Sequence, residues 1–288
     1  MDYKFNVFII SIFMCMKGGA GTILNMSLLP LFRSTLAVSA TEYQLYQTVI
    51  LLPWAMKCAY GYLCDFCPLF GYSKRPYIVA ASVIGSGSAL CLGLSLTSVS
   101  AVSATALAFT ISAAFALTDL MSESAYASKL VAKPETSTSV VSLVWLLISA
   151  GSVAGAVLVG ILADTSSLHV AFYTVGGLCL QTCVPALWGC IDAEYVPCCP
   201  SAAITRTGIA VTLFAFMLVP VCLQKNTWLL LVYALGSSCL LILCSWSWLP
   251  RMMARCNIYM FLTSVLYLQL PGALDYWYTA DRVSKAGK

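Results

Sequence analysis

The chain has 288 residues, of which 60% are hydrophobic and 9% charged, with 15 Lys plus Arg against 11 Asp plus Glu. A soluble domain carries about 25% charged residues, so this chain has too little charge to cover a water-exposed surface. Cytosolic enzymes, nucleic-acid binders and disordered scaffolds are excluded. A mean hydropathy of +0.89 and long uncharged runs define an all-α polytopic membrane protein.

A helix needs about 20 apolar residues to cross a bilayer. In chain order that length marks spans near 7–31, 42–62, 76–97, 102–125, 139–162, 168–190, 207–224, 227–249 and 257–278, about nine in all. The first continues past Lys17 to Phe32 with no clean small-residue cleavage site, so it reads as a span and not as a signal peptide. One side of the membrane receives Lys4, Lys74, Arg75, Lys129, Lys133, Arg206, Arg251 and Arg255, and the other Arg33 and Lys225. This bias places the N-terminus in the cytoplasm. Trp145, Trp188, Trp228, Trp246 and Trp248 fall near helix ends, where indole rings favour the interface. Gly151-x-x-x-Gly155 allows close approach of a neighbouring helix, and Gly18, Gly19 and Gly21 give the first helix a thin face. Pro30, Pro53, Pro185, Pro220 and Pro271 suggest kinks.

Most of the 14 cysteines lie in apolar runs, where a thiol is a small hydrophobe. The Cys64-x-x-Cys67 spacing and the Cys198-Cys199 doublet lack a second Cys or His pair for zinc. Neither a metal nor any other cofactor is expected. Paired catalytic carboxylates and phosphate loops are missing too, and the single histidine, His169, argues against an enzyme.

Charges inside spans cost about 2.5–3.5 kcal/mol each and need a reason. Lys17 lies near the middle of the first span. Asp119, Glu123 and Tyr126 follow an i, i+4, i+7 spacing that puts them on one face of the fourth. One reading is a polar substrate or proton cavity. In it Lys17 attracts an anion, and Asp119 or Glu123 relays a proton or accepts hydrogen bonds from substrate N–H groups. The other is an ion pair of Lys17 with Asp119 tying helices together, with Lys57 and Glu123 snorkelling to the interface.

The stretch Gly61-Tyr62-Leu63-Cys64-Asp65-Phe66-Cys67-Pro68-Leu69-Phe70-Gly71-Tyr72-Ser73-Lys74-Arg75-Pro76-Tyr77 ends a helix on Gly61 and Asp65 and delivers two cations to the mouth of the next. A carboxylate so placed can cap a helix or pair with a cation, and such contacts break when helix bundles rock. This stretch resembles the loop between the second and third helices of the major facilitator superfamily, and its longer form resembles the folate–biopterin transporter family. Leu270-Pro271-Gly272-Ala273-Leu274-Asp275-Tyr276-Trp277-Tyr278-Thr279 is similar to a later helix of that family.

The resemblance implies a partial major facilitator fold. Its parts are a six-helix transporter half over 1–190, a cytoplasmic loop over 191–206 and two accessory helices over 207–249. The first helix of an incomplete second half and a tail fill 250–288, so the chain looks C-terminally truncated. The implied function is transport of folate- or biopterin-type pteridines by alternating access, coupled to protons, in the plasma membrane. It implies a gating role for Gly61, Asp65, Gly71, Lys74 and Arg75, and family-motif status for Pro271, Gly272 and Asp275. A competent carrier then requires self-association or a longer native chain. The alternatives are a non-transporting fragment that partners full-length relatives, and S-adenosylmethionine as substrate.

Overall fold

The computed structural model describes residues 3–72, 74–132, 135, 137–164, 167–190, 202, 205–206, 208–213, 217 and 226–266. Its elements are helices, and among the described residues no strand occurs. We number them α1 (Tyr3–Thr35), α2 (Ala40–Ala55), α3 (Lys57–Phe66), α4 (Arg75–Leu94), α5 (Ala101–Ala132), α6 (Ser137–Asp164), α7 (Leu168–Leu180), α8 (Cys183–Leu187), α9 (Thr227–Trp248) and α10 (Arg251–Leu266). Six described segments are long and apolar enough to cross a membrane: Tyr3–Thr35, Arg75–Leu94, Ala101–Ala127, Ser137–Leu162, Leu168–Leu187 and Trp228–Trp248.

The chain forms two compact units, Met1–Ala37 with Val49–Cys199, and Val38–Thr48 with Pro200–Lys288. In the first, α1 packs against α6, and α4 lies between α5 and α7. Phe8, Ile12, Phe13, Met16, Leu24 and Leu28 of α1 are buried, which makes α1 the most enclosed of the spans. By contrast α6 turns Trp145, Leu146, Val153, Val157 and Ile161 outward, as a lipid-facing helix does. In the second unit α9 packs on α10. Asn226 caps α9 by accepting from the backbone N–H groups of Trp228 and Leu229 at 3.1 and 3.3 Å.

Glycine sets the α1–α6 spacing. A Cβ added at Gly18 would stand 2.4 Å from the Ile148 carbonyl oxygen, one at Gly151 2.0 Å from that of Met14, and one at Gly155 2.9 Å from that of Gly19. The thin faces expected of both helices therefore meet each other, backbone on backbone. Along Ile10–Ala20 and again along Leu31–Thr35, α1 widens into π-type turns without interruption. Wide turns of this kind accompany functional sites, and Lys17 lies in the first of them.

Two spans expected to be continuous are broken. The one over 42–62 is delivered by α2 and α3, which meet at Met56 (φ −89°, ψ 8°). Pro53 sits one turn before the break, and tight bonds carry the chain through it: Met56 N–H to the Pro53 carbonyl at 3.1 Å and Ala59 N–H to that of Met56 at 2.9 Å. The span over 168–190 is delivered by α7 and α8, parted at Gln181–Thr182, four and three residues before Pro185. At the second break Pro185, lacking an N–H group, leaves the Gln181 carbonyl without its helical donor, and Val184 N–H takes it in a tighter turn at 3.1 Å. Pro30, by contrast, rides inside α1 at the edge of its second wide stretch. The first helix runs four residues beyond its expected limits at each end, and α5 extends to Ala132. Most of the span expected at 207–224, and the part of 257–278 beyond Leu266, lie outside the described residues. So do Pro271, Gly272 and Asp275.

Candidate functional site

Four charged side chains of the first unit converge. Lys17 comes from α1, Lys57 from the first turn of α3, and Asp119 and Glu123 from adjacent turns of α5. Lys17 Nζ stands 2.8 Å from Asp119 Oδ1 and 3.3 Å from Glu123 Oε1. On the other side Lys57 Nζ stands 2.6 Å from Asp119 Oδ2 and 3.4 Å from Glu123 Oε2. The four groups form a closed, charge-neutral ring in which each cation touches both anions. That neutrality is what makes four charges tolerable in an apolar setting, since an unpaired one carries a desolvation cost of several kcal/mol.

The two carboxylates are not equivalent. Asp119 is 0% exposed, whereas the Glu123 side chain is 38% exposed and its contacts are the longer ones. Lys17 donates its hydrogen bond to Asp119 Oδ2 at 3.0 Å, and Lys57 donates to the same oxygen at 2.6 Å. Oδ1 lies close to Lys17 Nζ but receives no aligned hydrogen bond from a described residue. Asp119 is thus the fixed hub of the ring and Glu123 its outer member.

Aromatic rings frame the cations. Lys17 Nζ lies 5.7 Å from the Phe13 ring centre and Lys57 Nζ 5.0 Å from that of Trp54, within the range of cation–π attraction. Tyr126 closes the same side edge-on to Phe13, with ring centres 5.7 Å apart.

Beside the ring a cavity of about 230 Å³ opens between α1, the end of α2 and α5. Lys17 supplies its charge, Thr22, Asn25 and Ser112 supply polar groups, and Trp54 and Phe115 supply flat apolar walls. Of the four residues expected to form a cavity, Lys17 lines this one; Asp119, Glu123 and Tyr126 stand behind it as partners of Lys17 or of its neighbours. Lys57, for which snorkelling was the open alternative, turns inward to the ring. Thr22, Asn25, Trp54 and Ser112 were missed by sequence reasoning. Asn25 lies eight residues beyond Lys17 on α1 and lines the same cavity.

The loop after α3 is a compact turn. Gly71 has φ +80° and Phe70 φ +56°; Tyr72 N–H bonds the Leu69 carbonyl at 3.0 Å. The Tyr77 hydroxyl donates to the Cys67 carbonyl at 2.5 Å, tying the start of α4 to the end of α3. The Arg75 guanidinium lies 5.8 Å from the Tyr72 ring centre, and Pro76 occupies the first turn of α4, where a missing N–H is harmless. Gly61 lies on α3 facing Leu120 of α5, where a Cβ would make ordinary contact at 3.5 Å. Lys74 precedes α4 directly, and the Asp65 side chain lies outside the described residues. Among the described residues no group of three His, Cys, Asp or Glu is gathered to hold a metal.

Six helices long and apolar enough to cross a membrane define a polytopic membrane protein, and those of the first unit carry a balanced charge ring beside a polar cavity. The family model described as the BT1 family matches residues 17–279, and the chain belongs to that family. It is similar to "Probable folate-biopterin transporter 6" of Arabidopsis thaliana, 24% identical over 155 residues that make 54% of this chain and 31% of the relative. It is similar to "Probable folate-biopterin transporter 2" of the same plant, 26% identical over 56% of this chain and 32% of the relative. "Folate transporter 1" of Plasmodium falciparum (isolate 3D7) is 27% identical over 27% of this chain and 16% of its own length. The matches thus span about a third or less of each relative. No solved structure matches the chain.

Proposed function

We propose that the chain serves in transport of a folate- or biopterin-type solute, bound beside Lys17. The observation that carries this reading is the placement of Lys17, which belongs at once to the charge ring and to the wall of the polar cavity. An ammonium there receives an anionic group such as a carboxylate, with Thr22, Asn25 and Ser112 as neutral hydrogen-bonding partners. The flat wall of Trp54 suits a planar heterocycle. The names of the relatives support a pteridine solute. Asp119 holds Lys17 in position, and a change in ring protonation is the natural point of coupling to a proton gradient. The loop at Gly71–Arg75 then serves as a gate that re-forms as helices rock. The charge bias of the connections favours a cytoplasmic N-terminus, and protease protection of an N-terminal tag in sealed vesicles checks it.

The reading is tested by uptake of labelled folate and biopterin into transport-deficient cells expressing the 288-residue chain, with membrane insertion confirmed. Saturable uptake that is lost in Lys17→Gln is expected. An inserted chain that moves neither solute, alone or with a full-length relative, overturns it.

A further inference from the structure

The two ammonium groups hold two carboxylates of very different standing. Asp119 bridges them at 2.8 and 2.6 Å and is wholly buried, so its removal would strand both cations. Glu123 spans the same two nitrogens at 3.3 and 3.4 Å from a side chain that is 38% exposed. A carboxylate at that exposure can be rehydrated if it leaves, and a loosely held surface-type pair is worth little. Lys17 meanwhile also faces the cavity, whose other lining residues are uncharged.

We propose that Glu123 is a resident stand-in for a ligand carboxylate. An anionic group entering from the cavity replaces Glu123 between Lys17 and Lys57, while Asp119 stays in place. The inference rests on the pteridine-carrier reading and deepens it, because it makes the site select solutes that bear a carboxylate over neutral ones of the same ring type. No bond is made or broken; one anion exchanges for another and the ring stays neutral. The charged and titratable groups facing Glu123 are Lys17 of α1, Lys57 of α3, and Asp119 and Tyr126 on its own helix.

The test is equilibrium binding of folate, with biopterin as the neutral reference, to the purified full chain in lipid nanodiscs at neutral pH. Glu123→Gln removes the competitor, and the ratio of folate to biopterin affinity is expected to rise roughly tenfold at neutral pH, or about 1.4 kcal/mol. Lys57→Gln, which leaves Asp119 paired with Lys17, should lower the ratio, and it serves as the second variant if Glu123→Gln does not fold. Biopterin binding with a ratio unmoved or lowered in Glu123→Gln, or unmoved in Lys57→Gln, overturns the exchange and leaves the pteridine reading standing. Binding of neither compound by wild type or variants overturns both.

Discussion

Adding one methyl group at Gly151 tests whether the α1–α6 seam sets the position of Lys17. In the structure an Ala Cβ there stands 2.0 Å from the Met14 carbonyl oxygen and 2.9 Å from its carbon, against the 3.4 Å of ordinary contact. The obstructing atoms are main chain on a buried helix, so no side chain can swing aside. The helices must part locally by about 1.4 Å, three residues from Lys17. Overpacking of this kind costs about 1–3 kcal/mol, and a backbone obstacle belongs at the upper end. The better helix propensity of Ala returns about 1 kcal/mol, for a net loss near 2 kcal/mol. Gly160→Ala, on the same helix with nothing within 4 Å, keeps that propensity gain and meets no obstacle. Unfolding in detergent should therefore separate the two variants by about 3 kcal/mol. Gly151→Ala should also weaken solute binding, because a retreating α1 draws Nζ away from partners now at 2.8–3.3 Å. Equal stability of the two variants would refute the reasoning.

Asp119→Asn leaves two ammonium groups facing each other with one outer carboxylate, and should destabilise the first unit by about 3–5 kcal/mol. Adding Lys57→Gln should restore part of that loss, which a double-mutant cycle on thermal unfolding detects. Gly71→Ala forces a left-handed backbone on a residue with a Cβ and should cost about 1–2 kcal/mol, with Gly71→Asn milder; the measurement is again unfolding. Gln181 accepts from the Ser11 hydroxyl and donates to the Ser11 carbonyl, both at 2.8 Å, at the point where α7 breaks. Gln181→Leu should cost about 1–3 kcal/mol, and hydrogen exchange should show faster opening around 181–187 than in α7.

Six of the nine expected spans were legible because the signal that makes them is long and additive: some 20 apolar residues in a row leave no other home for the segment. The glycine seam was half legible. Gly151 and Gly155 announce a close approach and Gly18 and Gly19 a thin face, but spacing on one helix carries no record of which other helix will meet it. The loop at Gly61–Tyr77 was legible through resemblance, and its left-handed Gly71 gives that resemblance a backbone reason.

Lys57 was the residue hardest to place, and the cause is physical. In an unbroken span over 42–62 it falls near the inner end, where a lysine has an easy route to the interface. The break at Met56 withdraws that assumption. The helix ends just past Pro53, Met56 N–H turns back to the Pro53 carbonyl at 3.1 Å, and α3 restarts at Lys57 itself. A residue in the first turn of a new helix points where the new axis sends it, and α3 packs on α5. The break at Met56 therefore aims the second cation at Asp119 and Glu123. The fourth member completes the neutrality that the other three require: Lys17 with two carboxylates leaves one negative charge over, and that excess disfavours burial until a second cation arrives. Charge balance was thus the available signal. Three intramembrane charges summing to −1 call for a partner, and Lys57 is the cation that the helix break delivers to them.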